Sequence, residues 1–128
     1  MDIKPVFVID LSELLSLQKL CYHENALRYN DFTIGPLTQT LPELELEFKE
    51  KLILKAVDDT KIVGTIRGFV RQGTCYIGRI AVHPQYQNKG LGTRLIEAIE
   101  KSFPQITRYE LFTGDRDAKN LSLYQKLG

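Results

Sequence analysis

The sequence predicts a mixed α/β fold of the α+β type: one sheet with helices on both faces, in the order β-α-α-β-β-β-α-β-α. Three observations predict it. Short runs rich in β-branched and aromatic residues are interleaved with stretches whose apolar residues recur at helical spacing. Three of those runs stand together mid-chain, separated only by turn residues, as in an antiparallel meander. The third run ends at a His-Pro corner followed by "QNKGLG", the pattern of a strand that turns tightly into a helix. At 128 residues the chain reads as one domain, 1–128, large enough to bury a core without disulfide or metal staples.

Each element has its own signal. Residues 5–10, PVFVID, read as the first strand. Asp10 and Glu13 have capping-box spacing and open a helix to Tyr29, with Leu11, Leu14, Leu15, Leu17, Cys21 and Tyr22 as its apolar positions. Residues 30–39 form a loop punctuated by Gly35 and Pro36. Thr40 and Glu43 repeat the capping spacing, so a short helix is expected from Thr38 to Glu47, although ELELEF alternates with a period that suits a strand equally well. Residues 51–57 and 61–71 make a hairpin around DDTK, and Gly73 turns the chain into the third strand of the meander, residues 74–82. Leu91, Leu95, Ala98, Ile99 and Phe103 share one face of the next helix, which Pro104 ends. Residues 107–113 read as a strand, and Asp117 caps a final helix carrying Leu121, Tyr124 and Leu127.

Composition excludes several functions. The 17 basic and 16 acidic side chains nearly cancel, which argues against a nucleic-acid partner bound by phosphate neutralisation. No apolar run approaches membrane-spanning length and the N-terminus has no signal-peptide pattern, so no membrane partner is expected. Cys21 and Cys75 lie in apolar patterns without metal-like spacing. They read as reduced, buried thiols, with no metal cofactor and a cytoplasmic location.

The glycine stretch is where chemistry is legible. Pro84 stops the strand from pairing further, and Gly90 and Gly92 let the backbone approach a ligand without a side chain in the way. The helix that follows offers unpaired N–H groups and a positive dipole end, which suit phosphate or pyrophosphate, with Lys89 and Arg94 as flanking charges. A Walker loop fails because Gly92 is followed by Thr93 and Arg94, and the dinucleotide fingerprint fails because Leu95 stands where its third glycine belongs. On the residues alone, an anion loop and a plain tight turn opening a helix remain equally good readings.

"VHPQYQNKGLGTRLI" resembles the acetyl-CoA-binding signature of the GNAT superfamily of N-acyltransferases. That signature reads Val, any residue, Pro, two residues, Gln or Arg, two residues, Gly, any residue, Gly or Ala. Val82, Pro84, Gln87, Gly90 and Gly92 match it in turn. The stretch "ELFTGDRDAKNLSLYQKLG" resembles the family's later strand and helix, and the element order is also similar. The resemblance therefore implies a GNAT-like splayed sheet and acetyl-CoA as cosubstrate. It implies that the CoA pyrophosphate lies on the backbone of Gln87, Asn88, Lys89, Gly90, Leu91, Gly92 and Thr93. It further implies that the pantetheine arm pairs with Ile80, Ala81 and Val82, whose backbone N–H groups polarise the thioester carbonyl. The family's tyrosine acid, which protonates the leaving thiolate, matches Tyr124. In many relatives an Asn lies seven residues before that tyrosine; here the position is Asp117, and Asn120 is the expected cofactor contact one turn later. Relatives continue past the glycine matching Gly128 with two more strands. The expectation is that a partner chain supplies them or that the sequence is truncated, and an open sheet edge makes a homodimer one expected arrangement.

Other polar residues carry bland readings. Glu24, His23 and Tyr76 are base candidates that read better as structural or solvent-facing residues, and His83 reads as a ring packed on Pro84. Glu43, Glu45, Glu47 and Glu50 read as a solvated face rather than an attractor for a cationic amine. Asp31 and Phe32 lie where relatives build the acceptor pocket. Three functions compete: an acetyl-CoA-dependent N-acetyltransferase acting on a small-molecule amine, a CoA-binding module that senses without turnover, and, behind both, a nucleotide-phosphate binder unrelated to CoA.

Overall fold

The computed structural model describes residues 1–29 and 35–111. Strands β1 (Asp2–Pro5), β2 (Leu52–Asp58), β3 (Lys61–Arg71), β4 (Thr74–Val82) and β5 (Arg108–Leu111) form one sheet in that spatial order. The first four are antiparallel neighbours, and β5 runs parallel to β4. Helices α1 (Leu11–Tyr29), the single turn α2 (Gly35–Thr38) and α3 (Leu41–Glu50) precede the meander, and α4 (Leu91–Lys101) connects β4 to β5. The mixed architecture expected from the sequence is observed, with β4 at the residues assigned to it. The expected final helix, with Asp117, Asn120 and Tyr124, lies outside the described residues, as do Asp31 and Phe32.

The period-two alternation of the strands divides the core between the two faces. Leu54, Ala56, Ile66, Cys75 and Ile77 pack with Leu91, Leu95, Ile96 and Ile99 of α4. On the opposite face Ile53 packs with Val6, Leu11, Leu14 and Leu44 beneath α1 and α3. Gly68 lets α4 approach: a Cβ there would lie 2.8 Å from Ile99 and 3.3 Å from Phe103. Gly68→Val should therefore lower the denaturation free energy by about 2 kcal/mol through overpacking. Urea unfolding checks this, and an unchanged midpoint would mean that α4 sits more loosely than described.

The start of the chain corrects the sequence reading. β1 is Asp2–Pro5 rather than residues 5–10, because the chain leaves the sheet after Pro5 and makes a 3₁₀ turn at Val8–Asp10. Asp10 Oδ2 accepts from the Phe7 N–H at 2.7 Å and from Lys55 Nζ at 2.6 Å. Those bonds hold the Asp10 carboxyl below its usual range despite the upward push of burial. Nor does Glu13 form the expected capping box; its Oε2 accepts from the Ile62 N–H across the fold at 2.8 Å. The second capping box is present: Thr40 Oγ1 accepts from the Glu43 N–H at 3.3 Å, and Glu43 Oε1 accepts from the Thr40 N–H at 2.8 Å. It sets the start of α3 at Leu41, three residues after the expected start at Thr38.

Candidate acyl-transfer site

β4 is not a regular strand. Its pairing with β3 passes from Thr65↔Ala81 to Arg67↔Gly78, so Arg79 and Ile80 together oppose Ile66 alone. Arg79 absorbs the extra residue with φ of 53°, in the left-handed region that a side chain disfavours. The bulge is pinned from α1, where the buried Tyr22 donates its hydroxyl to the Ile80 carbonyl at 2.8 Å. Beyond the bulge lie Ala81 and Val82, and the His83 N–H then bonds the Val63 carbonyl at 2.8 Å. The described part of β5 pairs with Thr74 to Ile77 of β4. Alternate backbone groups of a strand point to each side. The later half of β4, including Ile80, Ala81 and Val82, therefore turns a row of them away from β3, where no strand is paired among the described residues.

The glycine loop follows at once. His83 closes a 3₁₀ turn at Pro84–Tyr86: its Nδ1 accepts from the Gln85 N–H at 3.1 Å, and its ring meets Tyr86 edge-on at 5.9 Å. The imidazole is thus committed to the turn, with burial and the Lys61 charge lowering its pKa. Gln87 Nε2 donates back to the Val82 carbonyl at 3.0 Å, which ties the loop to the strand end. Asn88 with φ of 63° and Gly90 with φ of 79° bend the chain so that Gly90 becomes the N-cap of α4. No side chain caps that end, and a Cβ on Gly90 would meet nothing within 4 Å. The first-turn N–H groups around Leu91, Gly92 and Thr93 therefore have no side-chain acceptor from the N-cap, and the space at Gly90 is open. Lys89 lies over the Tyr86 ring at 5.7 Å, whereas Arg94 donates to the Met1 carbonyl at 3.0 Å.

The family model of acetyltransferases (GNAT) matches residues 11–128. The chain belongs to the acetyltransferase (GNAT) family. Its fold is shared with solved members at low identity. The PaiA N-acetyltransferase of Thermoplasma acidophilum, solved with coenzyme A, is 20% identical with a TM-score of 0.77, over 99% of this chain and 87% of that one. The ribosomal-protein-S18-alanine N-acetyltransferase of Escherichia coli is 18% identical with a TM-score of 0.76, over 99% and 76%. A GNAT-family acetyltransferase of Streptococcus pneumoniae is 21% identical with a TM-score of 0.74, over 99% and 83%. No curated protein matches the sequence.

In this GNAT chain the cofactor-side residues named from sequence fall into one continuous path: Ile80, Ala81 and Val82 on the bulged strand, then Gln87 through Thr93 in the loop and first helical turn. Tyr124 and Asn120 lie outside the described residues. Of the base candidates, His23 is exposed, and Tyr76 stacks on Phe69 with ring centroids 5.3 Å apart. Glu24's side chain is outside the described set.

Sequence reading missed the polar cluster on the α1 side of the bulge. Arg67 of β3 is fully buried; it donates through Nη1 to Glu47 and to Gln39 Oε1 at 3.3 Å, and through Nη2 to Gln18. Gln18 Nε2 donates to Gln39 Oε1 at 3.0 Å, and Lys51 Nζ donates to Glu47 Oε1 at 2.7 Å. Glu47 is therefore an internal counter-charge and not part of a solvated face. Burial pushes its carboxyl up, but the Lys51 bond, the Arg67 charge and the Gln39 bond together bring it below the ordinary value. The only signal in the sequence was a charged residue in the middle of the otherwise apolar strand KIVGTIRGFVR.

Among the described residues no helix is long and apolar enough to cross a membrane, and no group of His, Cys, Asp or Glu is placed to hold a metal ion.

Proposed function

We propose that this protein is an N-acetyltransferase that moves the acetyl group of acetyl-CoA to a primary amine on a small molecule by direct attack. One observation carries the reading: a bulged strand whose later half has no strand paired to its outer edge among the described residues leads, through one 3₁₀ turn, to a helix N-terminus without a side-chain cap, in a chain of the GNAT family. The loop from Gln87 to Thr93 would hold the pyrophosphate through backbone N–H groups, and the outer edge of Ile80, Ala81 and Val82 would align the pantetheine arm. An acceptor ammonium, with a pKa of about 10.4, first loses its proton to solvent water. The free amine nitrogen then bonds to the thioester carbon, and N–H groups of β4 stabilise the oxyanion. As the oxyanion collapses the C–S bond breaks, the CoA thiolate takes a proton from Tyr124, and the proton that the new amide nitrogen sheds restores the tyrosine by way of solvent.

The test is release of free CoA thiol across a panel of primary amines, with wild type and Tyr124→Phe. Turnover of at least one amine is expected, falling about 100-fold in Tyr124→Phe without loss of CoA binding. Full activity in that variant would remove Tyr124 from the mechanism. Binding of CoA with no amine turned over would favour the CoA-binding module instead.

A further inference from the structure

Among the described residues, positive charge around the β4 bulge exceeds the negative charge ion-paired to it. Arg67 is fully buried, and its Nε finds no hydrogen-bond partner among the described residues. Gly78 opposes Arg67 on the ladder, and the next residue, Arg79, brings a second guanidinium whose Nη1 is also buried and unpartnered. Tyr22 reaches the Ile80 carbonyl from α1, and both Tyr22 and the Arg79 charge lie close enough to act on the Arg67 guanidinium. Among the described residues the carboxylate ion-paired to this cluster is Glu47, and it already serves both Arg67 and Lys51. Burial draws the Arg67 guanidinium down to about 10 against the pull of Glu47, and the Arg79 charge adds to the fall.

Buried N–H donors are nearly always matched by an acceptor, and a buried cation by an anion. An unmatched guanidinium donor on Arg67 of β3 and another on Arg79, the strained position of β4, therefore point to a ligand that supplies the acceptor. The phosphates of CoA belong with the loop after Val82, so this second anion belongs to the other substrate. The planar fork of Arg79 fits a carboxylate through paired N–H bonds.

We infer that the acceptor amine carries a carboxylate, held by Arg79 beside the β4 bulge, which makes the substrate class an amino acid or a short peptide with a free carboxylate near its amine. The inference rests on the acetyl-transfer reading. Arg67 backs the site from below, keeping the local field positive, and Tyr22 fixes the backbone from which Arg79 projects.

The experiment compares amines that differ only in the carboxylate: L-lysine against cadaverine, and L-phenylalanine against phenethylamine. Thiol release gives kcat/KM for each, and calorimetric titration of the CoA-loaded protein gives binding even where turnover is slow. The carboxylate-bearing member of a pair should be preferred by about 30-fold or more in one or both readouts, as for other desolvated charge pairs. Arg79→Gln, which removes the guanidinium and makes the same backbone demand, should abolish that preference while the thermal shift caused by CoA persists. Equal handling of both members by the wild type, or an undiminished preference in Arg79→Gln, overturns the inference. If both members of a pair are acetylated equally well, the inference falls and the acetyl-transfer reading survives alone. If CoA does not shift the wild-type melt, that reading and this inference fall together.

Discussion

Glu47→Ala should destabilise the fold by about 3 kcal/mol at neutral pH, lowering the melting temperature by roughly 10 °C. The cost comes from what is left behind. Arg67 is fully buried, and Glu47, itself only 18% exposed, is its ion-pair partner. With the carboxylate removed, the guanidinium keeps its desolvation penalty and loses its compensation. Removing the charge as well should reverse the loss. In Glu47→Leu combined with Arg67→Met most of the stability should return, because an apolar pair of similar volume carries no desolvation debt. Additive losses in the double variant would show that the network does not act as a unit.

The pH dependence follows from the direction of the Glu47 shift. Its folded pKa lies below the ordinary value, so the unfolded chain binds a proton more readily than the folded one in the acid range. The stabilisation from Glu47 is fully present above its unfolded pKa and is lost as pH falls through its folded pKa. The gap between wild type and Glu47→Ala should therefore be flat at neutral pH and narrow below the ordinary glutamate range. Chemical unfolding at a series of pH values checks this, and a gap that widened with acid would contradict the assignment.

The second large effect concerns the loop. Gly90→Asp should weaken CoA binding by about 100-fold or more while leaving the fold intact, because it sets a carboxylate where the pyrophosphate is proposed to lie. Room is available, since a Cβ at Gly90 meets nothing within 4 Å. The φ of 79° is one that Asp and Asn tolerate better than other side chains. Asp is also a favoured N-cap and complements the helix dipole, so the apo protein should be little destabilised. Gly90→Asn makes the same backbone demand without the charge and should lose far less affinity. Equal losses in the two variants would mean that shape, not charge, governs this position.

The parts of the fold that proved legible are those specified locally. β4 and α4 follow from an apolar strand run, a Pro corner, two glycines and a one-sided apolar stripe, signals that fall within neighbouring residues. α3 was ambiguous by periodicity, and the Thr40–Glu43 capping box decided it. The first strand was misplaced because Val8 and Ile9 look like strand residues yet lie 61% and 85% exposed in a 3₁₀ turn. What fixes that turn is the Asp10 bond to the Phe7 N–H together with a lysine from β2. The polar cluster escaped because its bonds join distant residues: Gln18 and Arg67 are 49 positions apart. The bulge escaped too. Its left-handed residue is Arg79, although glycine Gly78 stands beside it, so composition gave no hint of the position. The strand, loop and helix start that the sequence singled out were thus readable from the chain, while the Arg67 cluster and the β4 bulge appear only when α1, α3 and the sheet are brought together.

The most direct test of the central claim is a thermal-melt titration of the wild-type protein with acetyl-CoA, CoA and ATP side by side. A ligand that binds only the folded chain should, at 100 times its dissociation constant, stabilise it by about 2.7 kcal/mol. Stabilisation by acetyl-CoA and CoA, with little from ATP, is the predicted result. No shift with either CoA species, or an equal shift with ATP, would contradict the assignment of the Gln87-to-Thr93 loop as an acetyl-CoA site.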